Sequence, residues 1–201
     1  MASTWRQRYM DTPEENRVKA KFKGKVRMLS IALNYEGTES PLNCTVDADR
    51  LTQMAARSGV KDIVKMYDDG STDKFPCKEE IEQEIRDFAA RCKPGDYFVL
   101  QYSGHGTTQD NPDEADGLDS LLCLRTREGE DEDWIDDDIA QIIADEFDPQ
   151  VKVLLLADAC CSGGVLDCDT KKTYGAGAVL FARSLAARTR SALQTLGTAE
   201  P

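Results

Sequence analysis

No stretch of this 201-residue chain approaches 18 consecutive apolar residues, so no segment is expected to cross a membrane as a helix. Residues 1–25 are polar and lack an apolar centre, unlike a secretory leader, which makes a cytoplasmic setting the expectation. Histidine is almost missing: His105 stands alone. Paired C-x2-C spacing is missing too. Although Cys160, Cys161 and Cys168 are bunched, these absences argue against structural zinc. Neither GxGxxG nor GxxxxGK[ST] occurs, which counts against a nucleotide binder using Cys161-Ser162-Gly163-Gly164 as a phosphate loop. Positive charge is in deficit, with 25 Lys and Arg against 37 Asp and Glu and a net charge of −12. That disfavours a dedicated nucleic-acid binder or a protein docked on anionic lipid. The seven cysteines are an odd number, and reduced thiols are the default for them.

What is present is enough for a folded core, with 40% hydrophobic and 31% charged residues. The charge is unevenly spread. Residues 110–148 carry 16 acids and 2 bases, while the first 27 residues carry 8 bases and 3 acids. The acidic segment reads either as a solvated loop or as a site for a hard cation.

Three regions are expected: a polar extension over 1–24, a folded domain over 25–169, and a tail over 170–201. Residues 25–33 read as a buried strand, 62–67 and 96–102 as two more, and 151–157 (VKVLLLA) as the clearest. Helices are expected over 44–58, with Val46, Leu51, Met54 and Ala55 on one face, over 77–92, and over 135–147. The stretch before Trp134 shows little apolar periodicity, and the tail reads as helical from about Val179. Alternating strands and helices predict an α/β fold with a mainly parallel sheet.

In such a sheet, functional residues gather beyond the carboxyl ends of the strands. After the third strand comes Ser103-Gly104-His105-Gly106, and after the fourth Asp158-Ala159-Cys160-Cys161-Ser162-Gly163-Gly164. If these strands pair, a His and a Cys become neighbours, as thiol catalysis requires. A free thiol is mostly protonated at neutral pH, and a nearby imidazole raises its thiolate fraction. Backbone N–H groups at the Cys and beside the His would suit an oxyanion.

The segments YSGHG (102–106) and DACCSGG (158–164) resemble the two catalytic blocks of the caspase–hemoglobinase clan, and of metacaspases in particular. The 55-residue gap from His to Cys agrees, as do NYEGTESPLNCTVDAD (34–49), EADGLDSLL (114–122) and WIDDDI (134–139). The resemblance covers about residues 25–169, the large p20-like region. It implies a caspase-like three-layer fold, with His105 as proton shuttle, Cys160 as nucleophile, and Gly106 and Cys160 N–H groups as the oxyanion hole. It further implies cleavage of protein or peptide substrates after Arg or Lys, with Asp47 and Asp158 lining the first specificity pocket. Calcium is implied as cofactor, on Asp119, Asp136, Asp137 and Asp167, with Asp138 as an alternative in the DDD run.

Two departures stand out. Metacaspases commonly carry His after the nucleophile, where this chain has Cys161. Only 41 residues follow Cys160, and no p10-like region is recognisable. The fourth strand would then have a bare edge, to be covered by the tail, by a p10-like chain or by a second copy. Lys171, Lys172, Arg183 and Arg188 are candidate self-cleavage points. The competing expectation is a non-catalytic p20-like module that regulates or scaffolds a partner.

Overall fold

A computed structural model describes residues 24–112, 117–160, 171–174 and 178–184. In chain order the elements are β1 (Val26–Ala32), α1 (Cys44–Arg57), β2 (Asp62–Tyr67), α2 (Lys78–Arg91), β3 (Tyr97–Ser103), β4 (Gly106–Asp110), β5 (Leu118–Arg125), β6 (Asp131–Ile135), α3 (Asp136–Glu146), β7 (Lys152–Asp158), β8 (Lys171–Tyr174) and β9 (Ala178–Ser184). The large sheet has the order β2-β1-β3-β7-β9-β8, and β4-β5-β6 form a small one. Strands β2, β1, β3 and β7 are mutually parallel, as expected of the apolar runs. Among the described residues no helix is long and apolar enough to cross a membrane.

Alternation along the strands divides the core between two faces. Leu29, Ile31 and Leu33 join Phe98, Leu100 and Tyr102, Val153 and Leu155 on one face. Helix α2 covers that face with Ile81, Ile85 and Phe88, and α3 adds Ile139, Ile142 and Ile143. The small sheet contributes Leu122, Leu124 and Trp134 to the same cluster, so it is clamped to the main body. Glu132 strengthens that clamp by accepting the Lys78 N–H at 2.7 Å, satisfying a free donor at the start of α2.

Helix α1 lies on the other face, but with a different side inward from the one expected. Thr45, Ala48 and Thr52 are buried, whereas Val46 and Met54 are 40% and 59% exposed. The reason is the surface it meets. This side of the sheet carries Ser30, Gln101 and Tyr67, and Ala32, Ala48 and Tyr67 form a small separate core. Small and hydroxyl side chains suit such a surface better than Met. Gly59, at φ +97°, ends the helix in a conformation that side chains resist.

Two further expectations are corrected. The segment before Trp134 is not irregular loop: it folds into β4, β5 and β6, and it shows no period-two pattern because Thr107 to Asp110 are all exposed and Asp119 to Leu122 all buried. The tail is not helical where it is described. Ala178–Ser184 is a strand antiparallel to β7, with Lys152 opposite Ser184 and Asp158 opposite Ala178. A short apolar run does not distinguish helix from strand by periodicity, and the unpaired edge of β7 decides it. That edge is thus filled by this chain rather than by a second one. Lys171 and Lys172 fall on β8, which lies at the edge of the sheet, and Arg183 on β9. Arg188 lies outside the described residues.

At the amino ends of the strands, the buried guanidinium of Arg27 meets Asp96 at 2.7 Å and Asp62 at 3.1 Å, tying β1 to its neighbours on both sides. Burial opposes ionisation of Asp96. The Lys25 N–H, the Arg27 guanidinium and the Lys93 N–H outweigh it and hold the carboxyl below its usual range. Removing one partner leaves a buried charge uncompensated, so Asp96→Ala should cost about 3 kcal/mol in urea unfolding at neutral pH. Because the folded pKa is depressed, this contribution is present above the unfolded value of about 4. It is lost as pH falls through the folded value. The deficit of the variant relative to wild type should therefore shrink in acid.

Candidate active site

The register of β3 and β7 determines the geometry of the site. Ser103 lies opposite Asp158, so the two strands end level and their exit loops leave side by side. The ladder runs one step further, with Gly104 N–H donating to the Asp158 carbonyl at 3.2 Å. Strand β1 ends at the same level, with Ala32 opposite Ser103, and its loop over 34–43 joins the other two. The chain runs from β1 outward to β2 and then returns to place β3 on the other side of β1. The site therefore opens at a topological switch point.

The His and Cys loops touch through their backbones. A Cβ built on Gly106 would stand 2.3 Å from the Cys160 carbonyl oxygen and 3.2 Å from Ala159 Cβ. Only glycine permits this approach. It brings together the two residues whose N–H groups were expected to form an oxyanion hole. Cys160 is an exposed free thiol, and His105 is half-buried.

The imidazole is oriented by the loop after β1. Nε2 of His105 lies 2.7 Å from the Ser40 carbonyl oxygen. A carbonyl can only accept, so the proton sits on Nε2 and the lone pair on Nδ1. The Tyr35 ring packs against the imidazole, with centroids 4.5 Å apart. His105 also lines a cavity of about 910 Å³ with Thr38, Ser40, Cys123 and Asp133.

The expected specificity residues draw together around one thiol. Burial pushes the Cys44 thiol up and a Ser103 hydrogen bond opposes it, while the carboxylates of Asp158, Asp68 and Asp47 add to the rise. Asp47 lies in the first turn of α1 and is paired with Arg50 at 2.8 Å in an exposed ion pair. Asp158 is exposed at the end of β7. Asp68 was not foreseen. Its carboxylate accepts the N–H groups of Asn34 and Tyr35 at 2.7 and 2.9 Å, so it serves the loop.

The residues expected to hold calcium are partly brought together. Asp119 accepts from Asn111 at 2.6 Å and Gln109 at 2.8 Å, and these amides hold its carboxyl below the usual range. Asp136 and Asp137 lie in the first turn of α3, directly after β6. Since Leu121 pairs with Ile135, they follow at the same end of the small sheet as Asp119. Asp138 is turned to Lys78 at 2.7 Å, which accounts for it structurally. Asp167 lies outside the described residues, as does Cys161. Among the described residues, no group of three acids, cysteines or histidines stands close enough to hold a metal ion.

Residues 26–169 match the sequence profile of the metacaspase, peptidase C14 domain. The chain belongs to the metacaspase family. It is 32% identical over 151 residues to Metacaspase-3 of Arabidopsis thaliana, covering 72% of this chain and 41% of that protein. It is 31% identical over 151 residues to Metacaspase-1 of Schizosaccharomyces pombe, covering 72% of this chain and 35% of that one. The chain thus spans less than half the length of these relatives. A crystal structure of a Geobacter sulfurreducens protein superposes with a TM-score of 0.53 at 29% identity, covering 68% of this chain and 50% of that one. The central sheet and its flanking helices are accordingly of the caspase-like α/β type.

Of the residues that orient His105, sequence reading missed Tyr35, Ser40 and Tyr102. Tyr35 and Ser40 lie within the family segment 34–49 and Tyr102 opens YSGHG, but nothing in residue type or spacing links them to the imidazole. Gly106→Ala would force the methyl into the Cys160 backbone. It should lower the thermal midpoint by several degrees and slow Cys160 alkylation by iodoacetamide, both measured against wild type.

Proposed function

We propose that this chain is the catalytic region of a cysteine endopeptidase that cuts after Arg or Lys. The single observation that carries the proposal is the His105 nitrogen left free by the Ser40 bond, in a loop held against the backbone of Cys160. Nδ1 of His105 takes the Cys160 proton. The thiolate attacks the scissile carbonyl, and the oxyanion meets the N–H groups of Gly106 and Cys160. Nδ1–H then gives its proton to the leaving amine, and water hydrolyses the resulting thioester. The Ser40 carbonyl, holding Nε2–H, stabilises the imidazolium formed in between.

Preference for a cationic side chain is supported by the carboxylates of Asp47 and Asp158 near Cys44. Binding Arg or Lys requires Asp47 to exchange its exposed bond to Arg50, which costs little because such pairs contribute at most about 1 kcal/mol. An exposed catalytic thiol suits a reducing compartment, in keeping with the cytoplasmic setting expected of the sequence.

Wild-type protein should hydrolyse Arg and Lys peptides and leave Asp peptides intact, and Cys160→Ala should abolish hydrolysis. A thiol probe that fails to label Cys160, together with no hydrolysis at any calcium concentration, would favour the non-catalytic module.

Calcium binding is proposed at Asp119, Asp136, Asp137 and Asp167. Its support is the position of the first three at one end of the small sheet and the ionised state of Asp119. Amide oxygens of Asn111 and Gln109 could complete the oxygen-rich set that a hard cation takes. Calorimetric titration with calcium should give a binding isotherm for wild type and a weakened one for Asp119→Asn. An equal isotherm would remove Asp119 from the set.

A further inference from the structure

Given the peptidase reading above, on which this rests, we propose that Tyr35, seconded by Tyr102, is a positioning residue that locks His105 in its working orientation and tautomer. The two phenols close a hydrogen-bonded ring around the His105 peptide. The His105 N–H donates to Tyr35 Oη at 2.8 Å, and Tyr35 O–H donates to the Cys123 carbonyl at 2.6 Å. The Cys123 N–H returns to the His105 carbonyl at 3.0 Å, and Tyr102 O–H donates to that same carbonyl at 2.7 Å. The phenol oxygens stand 3.0 Å apart. Each phenol has one proton to give, and this arrangement uses both.

The ring is built to stay intact. Burial holds both phenols in their protonated form, so neither turns into a phenolate that would repel the His105 carbonyl. A Cβ on Gly104 would stand 2.5 Å from Tyr102 Oη and 2.6 Å from Tyr35 Oη, so the glycine before His105 makes room for the pair. Tyr35 itself adopts φ +53°, a conformation that side chains rarely take. The structure compensates at both of its peptide groups. Asp68 accepts the Tyr35 N–H, and the Thr38 N–H and hydroxyl both donate to the Tyr35 carbonyl, at 3.2 and 2.8 Å. Strain held this firmly belongs to a residue whose orientation matters.

The consequence reaches the reacting atoms through one loop. Tyr35 lies under the imidazole face, and Ser40, five residues on, holds Nε2. The turn joining them is set by the Thr38 bonds to Tyr35 and by the Leu42 N–H donating to the Asn34 carbonyl at 2.7 Å. Tyr35 thus fixes both ends of the base: the peptide that carries the ring, and the carbonyl that selects its tautomer.

His105 is the only histidine of the chain, so its ring nitrogens can be followed by 15N NMR without assignment ambiguity. Wild type should show the Nε2–H form of the neutral ring. Tyr35→Phe keeps the ring packing and removes the oxygen. It should move the two nitrogen shifts toward each other as tautomers mix, and lower kcat roughly tenfold with KM within about twofold. Tyr102→Phe should act in the same direction and serves if Tyr35→Phe fails to fold. Tyr67→Phe, which removes a buried phenol 3.4 Å from Ser30, controls for loss of stability and should leave both readouts unchanged. Wild-type shifts and kcat in Tyr35→Phe, or equal changes in Tyr67→Phe, would overturn the proposal. An inactive wild type would count against the peptidase reading alone, and the nitrogen shifts would still decide the role of Tyr35.

Discussion

Everything at the site depends on one alignment: β3 and β7 are hydrogen-bonded neighbours that end level, Ser103 beside Asp158. Strand pairing is discrete, and slipping one strand by a residue turns every side chain to the opposite face. Here both faces are buried, by α2 and α3 on one side and α1 on the other, so a slip would carry Leu100, Tyr102 and Leu155 out of their core. The cost of that misplacement locks the register. The locked register then delivers the His and Cys loops to the same edge, where Gly106 lets their backbones meet. The geometry of the candidate site is thus enforced by the hydrophobic core.

His105 is arranged by backbone and phenol groups rather than by a carboxylate. The Ser40 carbonyl is a weaker partner for an imidazolium than an ionised Asp, but it is fixed by the fold and accepts only. A short loop serves as such a partner only when its own conformation is held. Asp68, Thr38 and Asn34 supply that by satisfying the donors and acceptors around Tyr35. Three strand ends therefore meet: β1 supplies the loop that holds the imidazole, β3 leads into His105 and β7 into Cys160.

The concentration of acid in residues 110–148 resolves into separate jobs. Glu132 caps α2, Asp138 pairs with Lys78, and Asp119 is bound by two amides. Others, such as Glu128 and Glu130, lie on an exposed turn between β5 and β6. Strand β5 offers no alternation to read, because Asp119, Ser120, Leu121 and Leu122 are buried in succession. A charge count over the segment could not separate these roles, because capping, pairing and solvation use the same side chains.

The sequence by itself determined the four parallel strands, the helices that follow them, and the placement of His105 and Cys160 just beyond the ends of two of those strands. Buried strands and amphipathic helices are local patterns, and a lone histidine between glycines is legible without coordinates. The sequence could not decide the inward face of α1, where Thr45, Ala48 and Thr52 replaced the more apolar Val46 and Met54. That choice depended on the polar surface of Ser30 and Gln101 facing it. Nor could it decide that 178–184 is a strand, since a run of Ala, Val, Leu and Phe takes whichever conformation its neighbour satisfies. The orienting residues were hidden for a related reason. Tyr35 and His105 are 70 positions apart, and no periodicity links them. Their contact exists only because β1 and β3 lie side by side, so tertiary structure alone decided which of the six tyrosines would hold the one histidine.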